Sequence, residues 1–179
     1  MIANILNAIT LSRIFCAILI YLILFLESNY SLALFLFFVA SFSDFLDGYL
    51  ARKTDSVSVL GEILDPIADK LLIVFVLIGL SINLDSFLIG FISAIIISRE
   101  IWVAALRDIN SRNNQSDKTK VTFLAKTKTA IQMLAISMYL FGLTLNSMMI
   151  LFFADIVLII ALLVTIQTGF QYTISTFKK

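Results

Sequence analysis

The chain is a succession of long apolar runs separated by short polar breaks. Each run is close to the length that a helix needs to cross a bilayer, about 20 residues. None of them shows the period-two alternation of a membrane β-strand. We therefore predict an all-α integral membrane protein with six transmembrane helices, over residues 9–26, 31–52, 62–82, 87–107, 126–144 and 148–170.

The last two spans are separated by a single break, Leu145–Asn146–Ser147. The uncharged segment 129–154 is too long for one comfortable crossing, so the polar break is predicted to divide it. Before the first span, residues 1–8 are predicted to form a short N-terminal interfacial helix, with Ile2, Ile5 and Leu6 dipping into the apolar layer. This segment has neither a basic region nor a small-residue cleavage site, so we do not predict a signal peptide.

Composition supports a lipid environment and narrows the possible chemistry. Hydrophobic residues make up 60% of the chain and charged residues 14%, against about 45–50% and about 25% in soluble domains. The absence of histidine excludes His-based triads and His-ligated metal sites. Cys16, the only cysteine, cannot form an internal disulfide. A net charge of +1 gives no indication of nucleic acid, and residues 1–179 are predicted to be a single domain.

Basic residues are confined to one end of the predicted bundle. The breaks near Glu27, Asp85 and Asn146 contain no Lys or Arg. The opposite end carries Arg52, Lys53, Arg107, Arg112, Lys118, Lys120, Lys126, Lys128, Lys178 and Lys179. Because Lys and Arg are enriched in cytoplasmic loops, we predict a bacterial-type inner-membrane protein with both termini on the cytoplasmic side.

Four aspartates and three small residues form a regular pattern across the second and third spans. Spacings of three and four place each group on one helical face: Asp44, Asp47, Gly48 and Ala51 on the second span, and Gly61, Asp65 and Asp69 on the third. The short link between Arg52 and Gly61 predicts antiparallel neighbouring helices, so the four carboxylates should converge near the cytoplasmic boundary. Pro66 belongs to the first turn of the third helix or kinks it.

Four carboxylates in a partly desolvated region near the membrane boundary repel each other, so they need cations to neutralise them. Oxygen ligands without His or Cys favour the hard ions Mg²⁺ or Mn²⁺, and two such ions can clamp the attacking and leaving oxygens of a phosphoryl displacement. The small residues Gly48, Ala51 and Gly61 would let a diphosphate approach the backbone, and Arg52 could neutralise its oxygens. The alternative is that the aspartates are solvated or pair with nearby Arg and Lys.

The pattern D-x2-D-G-x2-A-R-x8-G-x3-D-x3-D, from Asp44 to Asp69, resembles the signature of the CDP-alcohol phosphatidyltransferase family at every fixed position. The resemblance implies a membrane enzyme, usually a homodimer, that transfers a phosphatidyl group from CDP-diacylglycerol to an alcohol and releases CMP. It implies that Asp44, Asp47 and Asp65 are metal ligands and that Asp69 is both ligand and general base, with two Mg²⁺ or Mn²⁺ ions per active site. The CDP contacts that it implies are Asp47, Gly48, Ala51, Arg52 and Gly61, together with Asn7 and Thr10.

Further segments, one of which overlaps the end of the signature, resemble the phosphatidylglycerophosphate synthase group of that family. They are residues 4–13, 65–70, 99–100, 107, 125–129, 132–133, 165, 168 and 172. Independently of this resemblance, four cations lie at similar depth near the cytoplasmic ends of the fourth and fifth spans: Arg99, Arg107, Lys126 and Lys128. Cations that face an acidic site suit an acceptor with its own phosphate, so glycerol 3-phosphate is the predicted acceptor.

Other interpretations remain open at this point. Lys126 and Lys128 also suit positive-inside anchors, and Arg99–Glu100 also suits an internal ion pair. The nearest alternative function is the same transfer to phosphatidylglycerol, serine or inositol phosphate. A divalent-cation transporter is a remote alternative, because a permeation path needs acids at several depths and only Asp155 lies away from the cluster. For Asp155 we expect a structural hydrogen bond or a dimer contact.

Overall fold

The computed structural model describes residues 2–54, 59–119 and 123–178, and these are all-α. The side chains of residues 2–6, 44–54, 59–60, 62, 116, 123 and 126 lie outside the described part. The long helices are α1 (Ile2–Phe25), α2 (Tyr30–Thr54), α3 (Val59–Asn83), α4 (Phe87–Arg112), α5 (Phe123–Thr144) and α6 (Met148–Phe177). A short 3-10 turn, Ser116–Thr119, lies between α4 and α5. Each predicted span corresponds to one of these helices.

The first helix differs from the prediction. We expected a separate interfacial helix over residues 1–8, but α1 runs without a break from Ile2 to Phe25. The segment contains no proline or glycine that would end a helix, so the helix continues through its polar residues. Pro66 lies in the interior of α3 and not in its first turn, because α3 begins at Val59.

Four helix ends share one tight turn geometry. Glu27, Asp85, Asn114 and Asn146 have φ angles of 48°, 45°, 54° and 51°. In each case the next residue donates its N–H to the carbonyl five residues earlier, as Ser147 does to Gly142 at 2.9 Å. This arrangement satisfies carbonyls that a helix end would otherwise leave without partners. The predicted break at residues 145–147 is confirmed, and it is one of these turns.

The helices pack as a bundle in which α1 has a central place. It packs against both α2 and α3, whereas α4 packs against α3 and α6, and α5 against α2 and α6. Within the described residues, α2 and α3 share no more than a marginal contact. The predicted direct packing of α2 on α3 is therefore not found there. The short link joins the ends of α2 and α3, but α1 packs against both.

Apolar side chains fill the interior and also cover the outer surface. Alanines recur in the buried core, including Ala17, Ala33 and Ala154, and small residues allow membrane helices to approach closely. Large side chains face outward, and Phe35 and Phe42 on α2 are more than half exposed. Three helical segments in the described part are long and apolar enough to span a membrane: Asn7–Phe25, Phe87–Arg112 and Met148–Phe177. These surfaces fit a membrane protein.

Charged residues collect at one end of the bundle. Five helix segments meet there: the start of α1, the first half of α3, the second half of α4, the start of α5 and the second half of α6. Thr10 of α1 contacts Asp65 of α3, and Lys128 of α5 contacts Glu100 of α4. The Lys118 ammonium donates a hydrogen bond to the carbonyl of Lys178 at 3.0 Å. This contact joins the α4–α5 connection to the end of α6. We call this region the charged end.

Candidate active site

Asp65 and Asp69 lie on one face of α3 and are both engaged by α1. The Thr10 hydroxyl donates to Asp65 Oδ1 at 2.7 Å, and Arg13 Nη1 donates to Asp69 Oδ1 at 2.8 Å. Arg13 Nη2 lies 3.6 Å from Asp65 Oδ1, so one guanidinium joins the two carboxylates. The Arg13 side chain is only 1% exposed, whereas those of Asp65 and Asp69 are 49% and 40% exposed. A buried guanidinium therefore holds two carboxylates that still reach solvent.

Most of the other signature residues are described by their backbone alone. Asp44, Asp47, Gly48, Ala51 and Arg52 belong to the helical backbone of α2, and their side chains lie outside the described residues. The convergence of all four aspartates therefore stays a prediction. Gly61 is partly buried within α3.

Asn7 and Thr10 lie one helical turn apart on α1. Of these two predicted CDP-binding residues, Thr10 contacts a signature aspartate directly. The prediction that Asp65 and Asp69 belong to one site is consistent with their common partner Arg13. The alternative, that they pair with a nearby cation, is also correct for these two aspartates.

A cavity of about 430 Å³ opens next to Asp69, between α3, α4 and α5. Its charged lining residues are Asp69, Lys70, Arg99, Glu100, Arg107 and Lys128. Three of the four cations predicted to bind the acceptor phosphate thus meet in one cavity with the predicted general base. The side chain of the fourth, Lys126, lies outside the described residues.

The described residues that line this cavity carry more positive than negative charges. Among the described residues, four cationic side chains line the cavity, on Lys70, Arg99, Arg107 and Lys128, against two carboxylates. One of these carboxylates, Asp69, is already paired with Arg13. Glu100 is shared by two cations: Arg99 Nη1 lies 2.9 Å from Glu100 Oε1, and Lys128 Nζ contacts the same oxygen. The alternative interpretation, an internal ion pair between Arg99 and Glu100, is thus confirmed, and the pair forms part of the cavity wall. The surplus positive charge favours an anionic ligand.

Helix α6 lies behind the cationic wall. Arg99 Nη2 donates to Thr168 Oγ1 at 2.9 Å. The guanidinium carbons of Arg99 and Arg107 lie 5.7 and 5.6 Å from the centre of the Tyr172 ring. Gln132 of α5, which lines the cavity, donates to Thr165 Oγ1 at 3.0 Å. Polar and aromatic residues of α6 therefore contact three of the cavity's side chains.

The divalent metal that the resemblance implies requires oxygen donors within reach of solvent. Asp65 and Asp69 supply oxygen ligands at a solvent-accessible position, which suits a hard cation. A carboxylate has two oxygens and about four lone-pair sites, so the contacts with Thr10 and Arg13 leave capacity for coordination. Among the described residues no group of three or more candidate ligands is found. The pair therefore fits a metal only together with further donors, the part predicted for Asp44 and Asp47.

Asp155 lies near the start of α6, at the opposite end of the bundle. It accepts a hydrogen bond of 2.5 Å from the Tyr139 hydroxyl on α5. The predicted structural hydrogen bond is thus confirmed. The one acid that favoured a permeation path joins two helices instead.

The sequence interpretation assigned no role to Arg13, Lys70 or Glu100 in the site. A signal for Arg13 was present, because its spacing of three from Thr10 places both on one helical face. Lys70 follows Asp69 directly in the segment 65–70. Glu100 was considered only as a partner of Arg99, since its second contact, with Lys128, joins residues on different helices.

Comparison with known proteins finds relatives over most of the chain. Residues 3–167 match the family model of CDP-alcohol phosphatidyltransferases. The chain is 38% identical over 172 residues to a CDP-diacylglycerol–glycerol-3-phosphate 3-phosphatidyltransferase of Rickettsia bellii, which covers 94% of this chain and 93% of the relative. Proteins of the same name from Haemophilus influenzae and Escherichia coli are 38% and 31% identical, covering 82% and 75% of this chain and 78% and 75% of those relatives. From the family match and these relatives, the chain belongs to the CDP-alcohol phosphatidyltransferase family.

Proposed function

We propose that this protein transfers the phosphatidyl group of CDP-diacylglycerol to the hydroxyl of glycerol 3-phosphate, giving phosphatidylglycerophosphate and CMP in phospholipid biosynthesis. The observation that carries the proposal is the cavity in which Asp69 meets Arg99, Arg107 and Lys128. The names of the relatives from Rickettsia bellii, Haemophilus influenzae and Escherichia coli support the same reaction.

The cavity chemistry favours an acceptor with its own phosphate. Two guanidinium groups and an ammonium match phosphate oxygens through charge-assisted hydrogen bonds, and a planar guanidinium can bind two oxygens at once. Serine is zwitterionic and does not need a pocket whose described residues carry two more positive than negative charges. Lys126 would add a further cation from the start of α5.

Asp69 accounts for the proton that the acceptor must lose. The acceptor hydroxyl gives its proton to an Asp69 oxygen while its own oxygen forms a bond to the β-phosphorus of the donor. The bond from that phosphorus to the bridging oxygen breaks, and CMP leaves with the electron pair. Of the two described carboxylates that line the cavity, Glu100 contacts both Arg99 and Lys128. Asp69 is therefore the carboxylate better placed to receive this proton. Arg99, Arg107 and Lys128 hold the acceptor's phosphate and so orient its hydroxyl.

The donor would bind on the side of α1 and α2. Members of the family are generally divalent-metal dependent, and we propose that Asp44, Asp47, Asp65 and Asp69 hold two Mg²⁺ or Mn²⁺ ions. Bound metal supplies charge neutralisation of the diphosphate. The CDP group would contact Asn7, Thr10, Asp47, Gly48, Ala51, Arg52 and Gly61. Arg13 keeps Asp65 and Asp69 together through its contacts with both.

The fold suggests how the protein sits in its membrane. We propose that all six long helices cross the bilayer of a bacterial inner membrane, with both termini and the charged end on the cytoplasmic side. The three described turns at the other end, around Glu27, Asp85 and Asn146, carry no Lys or Arg, as the positive-inside rule requires of an outer face. A homodimer is proposed from the family resemblance.

The reaction is tested with purified protein in detergent, CDP-diacylglycerol, Mg²⁺ or Mn²⁺, and a panel of radiolabelled acceptors. We expect CMP release and label incorporation with glycerol 3-phosphate, and not with serine, inositol phosphate or phosphatidylglycerol. Arg107→Gln should raise KM for glycerol 3-phosphate, while Arg112→Gln, on the exposed end of α4, serves as the matched control. Incorporation of another acceptor in preference to glycerol 3-phosphate would overturn the proposal.

A further inference from the structure

We propose that the C-terminal half of α6 positions the cations of the acceptor site, and that Tyr172 fixes Arg99 and Arg107 relative to each other. The inference rests on the proposed function, because it concerns the same cavity. None of the residues of α6 belongs to the described lining of that cavity. Tyr172 and its neighbours are therefore positioning residues, which act through the side chains that reach the ligand.

The Tyr172 ring lies close to two guanidinium groups of α4. Its centre is 5.7 Å from Arg99 Cζ and 5.6 Å from Arg107 Cζ, and the residue is only 4% exposed. Arg99 and Arg107 are two helical turns apart on α4 and carry like charges that repel each other. The negative face of an aromatic ring attracts both cations, most strongly where water is excluded. Tyr172 thereby holds the guanidinium groups of Arg99 and Arg107 near each other despite their like charges.

Thr168 fixes the orientation of Arg99 by a hydrogen bond of defined direction. A hydroxyl has one proton, and Thr168 Oγ1 donates it to the Val164 carbonyl at 2.9 Å. The oxygen is then left to accept from Arg99 Nη2, also at 2.9 Å. Thr168 is fully buried, so this contact is protected from competing water.

Thr165 repeats the same arrangement one turn earlier. Its hydroxyl donates to the Ala161 carbonyl at 2.6 Å and accepts from Gln132 Nε2 at 3.0 Å. Gln132 lines the cavity. Two buried threonines on one face of α6 therefore each hold a polar side chain of the cavity wall, one on α4 and one on α5.

Gly169 determines how close Arg99 can approach α6. A Cβ at this position would lie 3.0 Å from Arg99 Cγ and 3.5 Å from its Nε. The stem of Arg99 thus lies directly against the α6 backbone. Together with Glu100, which contacts Arg99 Nη1 at 2.9 Å, these contacts leave the guanidinium one orientation. A phosphate that binds a preorganised cation does not have to order it first.

The test separates acceptor binding from the rest of the reaction. Tyr172→Leu should raise KM for glycerol 3-phosphate about tenfold, because it removes two partly desolvated cation–π contacts. The kcat value and KM for CDP-diacylglycerol should stay within about twofold of the wild type. Tyr172→Phe keeps the ring and should restore KM for glycerol 3-phosphate. A residue with a merely structural role would change both KM values or kcat together.

Phe170→Leu is the matched control, since Phe170 is an aromatic residue on the outer face of α6, 67% exposed. It should leave both KM values unchanged. An unchanged KM for glycerol 3-phosphate in Tyr172→Leu, or a failure of Tyr172→Phe to restore it, would overturn the inference. If Tyr172→Leu does not fold, the nearly isosteric Thr168→Val provides the test. It removes the oxygen that accepts from Arg99 and should raise KM about tenfold, and Thr168→Ser should restore it.

A binding measurement distinguishes failure of this inference from failure of the proposed function. Inorganic phosphate should raise the melting temperature of the wild-type protein in detergent, and Thr168→Val should need about tenfold more phosphate for the same rise. If the wild type releases no CMP with glycerol 3-phosphate but this difference persists, the proposed function fails while the positioning role stands. If the two proteins respond equally to phosphate, the positioning role fails, whatever the acceptor.

Discussion

A single carboxylate, Asp69, belongs to two neighbourhoods of the site. On one side it accepts from the buried Arg13 at 2.8 Å, and on the other it lines the cationic cavity. The contact with Arg13 fixes the orientation of the carboxylate. Because any aspartate is a weak base at neutral pH, positioning of the two substrates must supply much of the rate.

Replacing Asp69 tests its role as base. Asp69→Asn keeps the shape of the side chain but cannot take up a proton, so the rate of CMP release should fall by about 10²–10⁴-fold. The exposed Asp108, which pairs with Arg112 at 2.8 Å on the surface of α4, is the matched control, and Asp108→Asn should be fully active. Both variants should elute as folded protein. Activity of Asp69→Asn near the wild-type level would refute the assignment.

Arg13 is expected to contribute to both activity and stability. Arg13→Met keeps the apolar stem but leaves the carboxylates of Asp65 and Asp69 without the guanidinium that holds them together. Because both carboxylates are about half exposed, the loss of stability should be modest, about 1–2 kcal/mol. Activity should fall much further, since Arg13 holds both carboxylates in position through its contacts with them. Thermal unfolding in detergent and initial rates measure the two effects, and an active Arg13→Met variant would contradict this role.

At the scale of helices, the tight turns end helices without the usual glycine. A residue with a side chain in the left-handed region costs about 1–2 kcal/mol, and Glu27, Asp85, Asn114 and Asn146 all adopt this conformation. The hydrogen bonds of each turn, such as Ser28 N–H to the Ile23 carbonyl at 3.1 Å, offset that cost. The turns are short because their backbone groups are satisfied locally.

A single substitution in the turn at Glu27 is expected to stabilise the protein. Glu27→Gly should raise the free energy of unfolding by about 0.5–1 kcal/mol, because glycine adopts a φ of 48° without strain. Glu27→Ala also removes the charged side chain but keeps the strain, so it is the control and should give no gain. Melting temperatures of the three proteins in the same detergent decide the matter. Equal stability of the Gly and Ala variants would show that backbone strain is not the cause.

Helix positions could be predicted from the sequence because each apolar run and each polar break is local information. The predicted span 148–170 and the break at 145–147, for example, agree with α6 and with the turn at Asn146. The place of α1 against both α2 and α3 could not be predicted in this way. It depends on contacts such as that of Thr10 with Asp65, which joins residues far apart in the chain.

In the candidate site, too, features within one helix could be predicted from the sequence, whereas contacts between helices could not. Asp65 and Asp69 were found because their spacing is regular within one helix, and the cations were found because they lie at similar depth. Tyr172 could not be assigned a role from sequence, since its contacts are two arginines on another helix. Glu100 was paired with its sequence neighbour Arg99, but its contact with Lys128 required the packing of α4 against α5.

For the whole molecule, the unequal distribution of charge predicts a topology that can be measured. Cys16 is the only natural cysteine, so Cys16→Ala provides a background for single cysteines at Ser28 or at Gln115. With a membrane-impermeant maleimide applied to intact cells, we expect labelling at position 28 and none at position 115. After permeabilisation both should react. The reverse pattern would place the charged end on the outer face and contradict the proposed orientation.

Arg13 also has a consequence for biogenesis. The ribosome makes α1 first, and the carboxylate that Arg13 pairs with at 2.8 Å follows fifty-six residues later. An isolated guanidinium within a newly inserted helix is costly in lipid. Until α3 emerges, the nascent α1 must let Arg13 snorkel to the headgroups. The arrival of α3 then draws this side chain inward, so the growing polypeptide completes the pair of Arg13 with Asp69 only when the third helix is delivered by the insertion machinery.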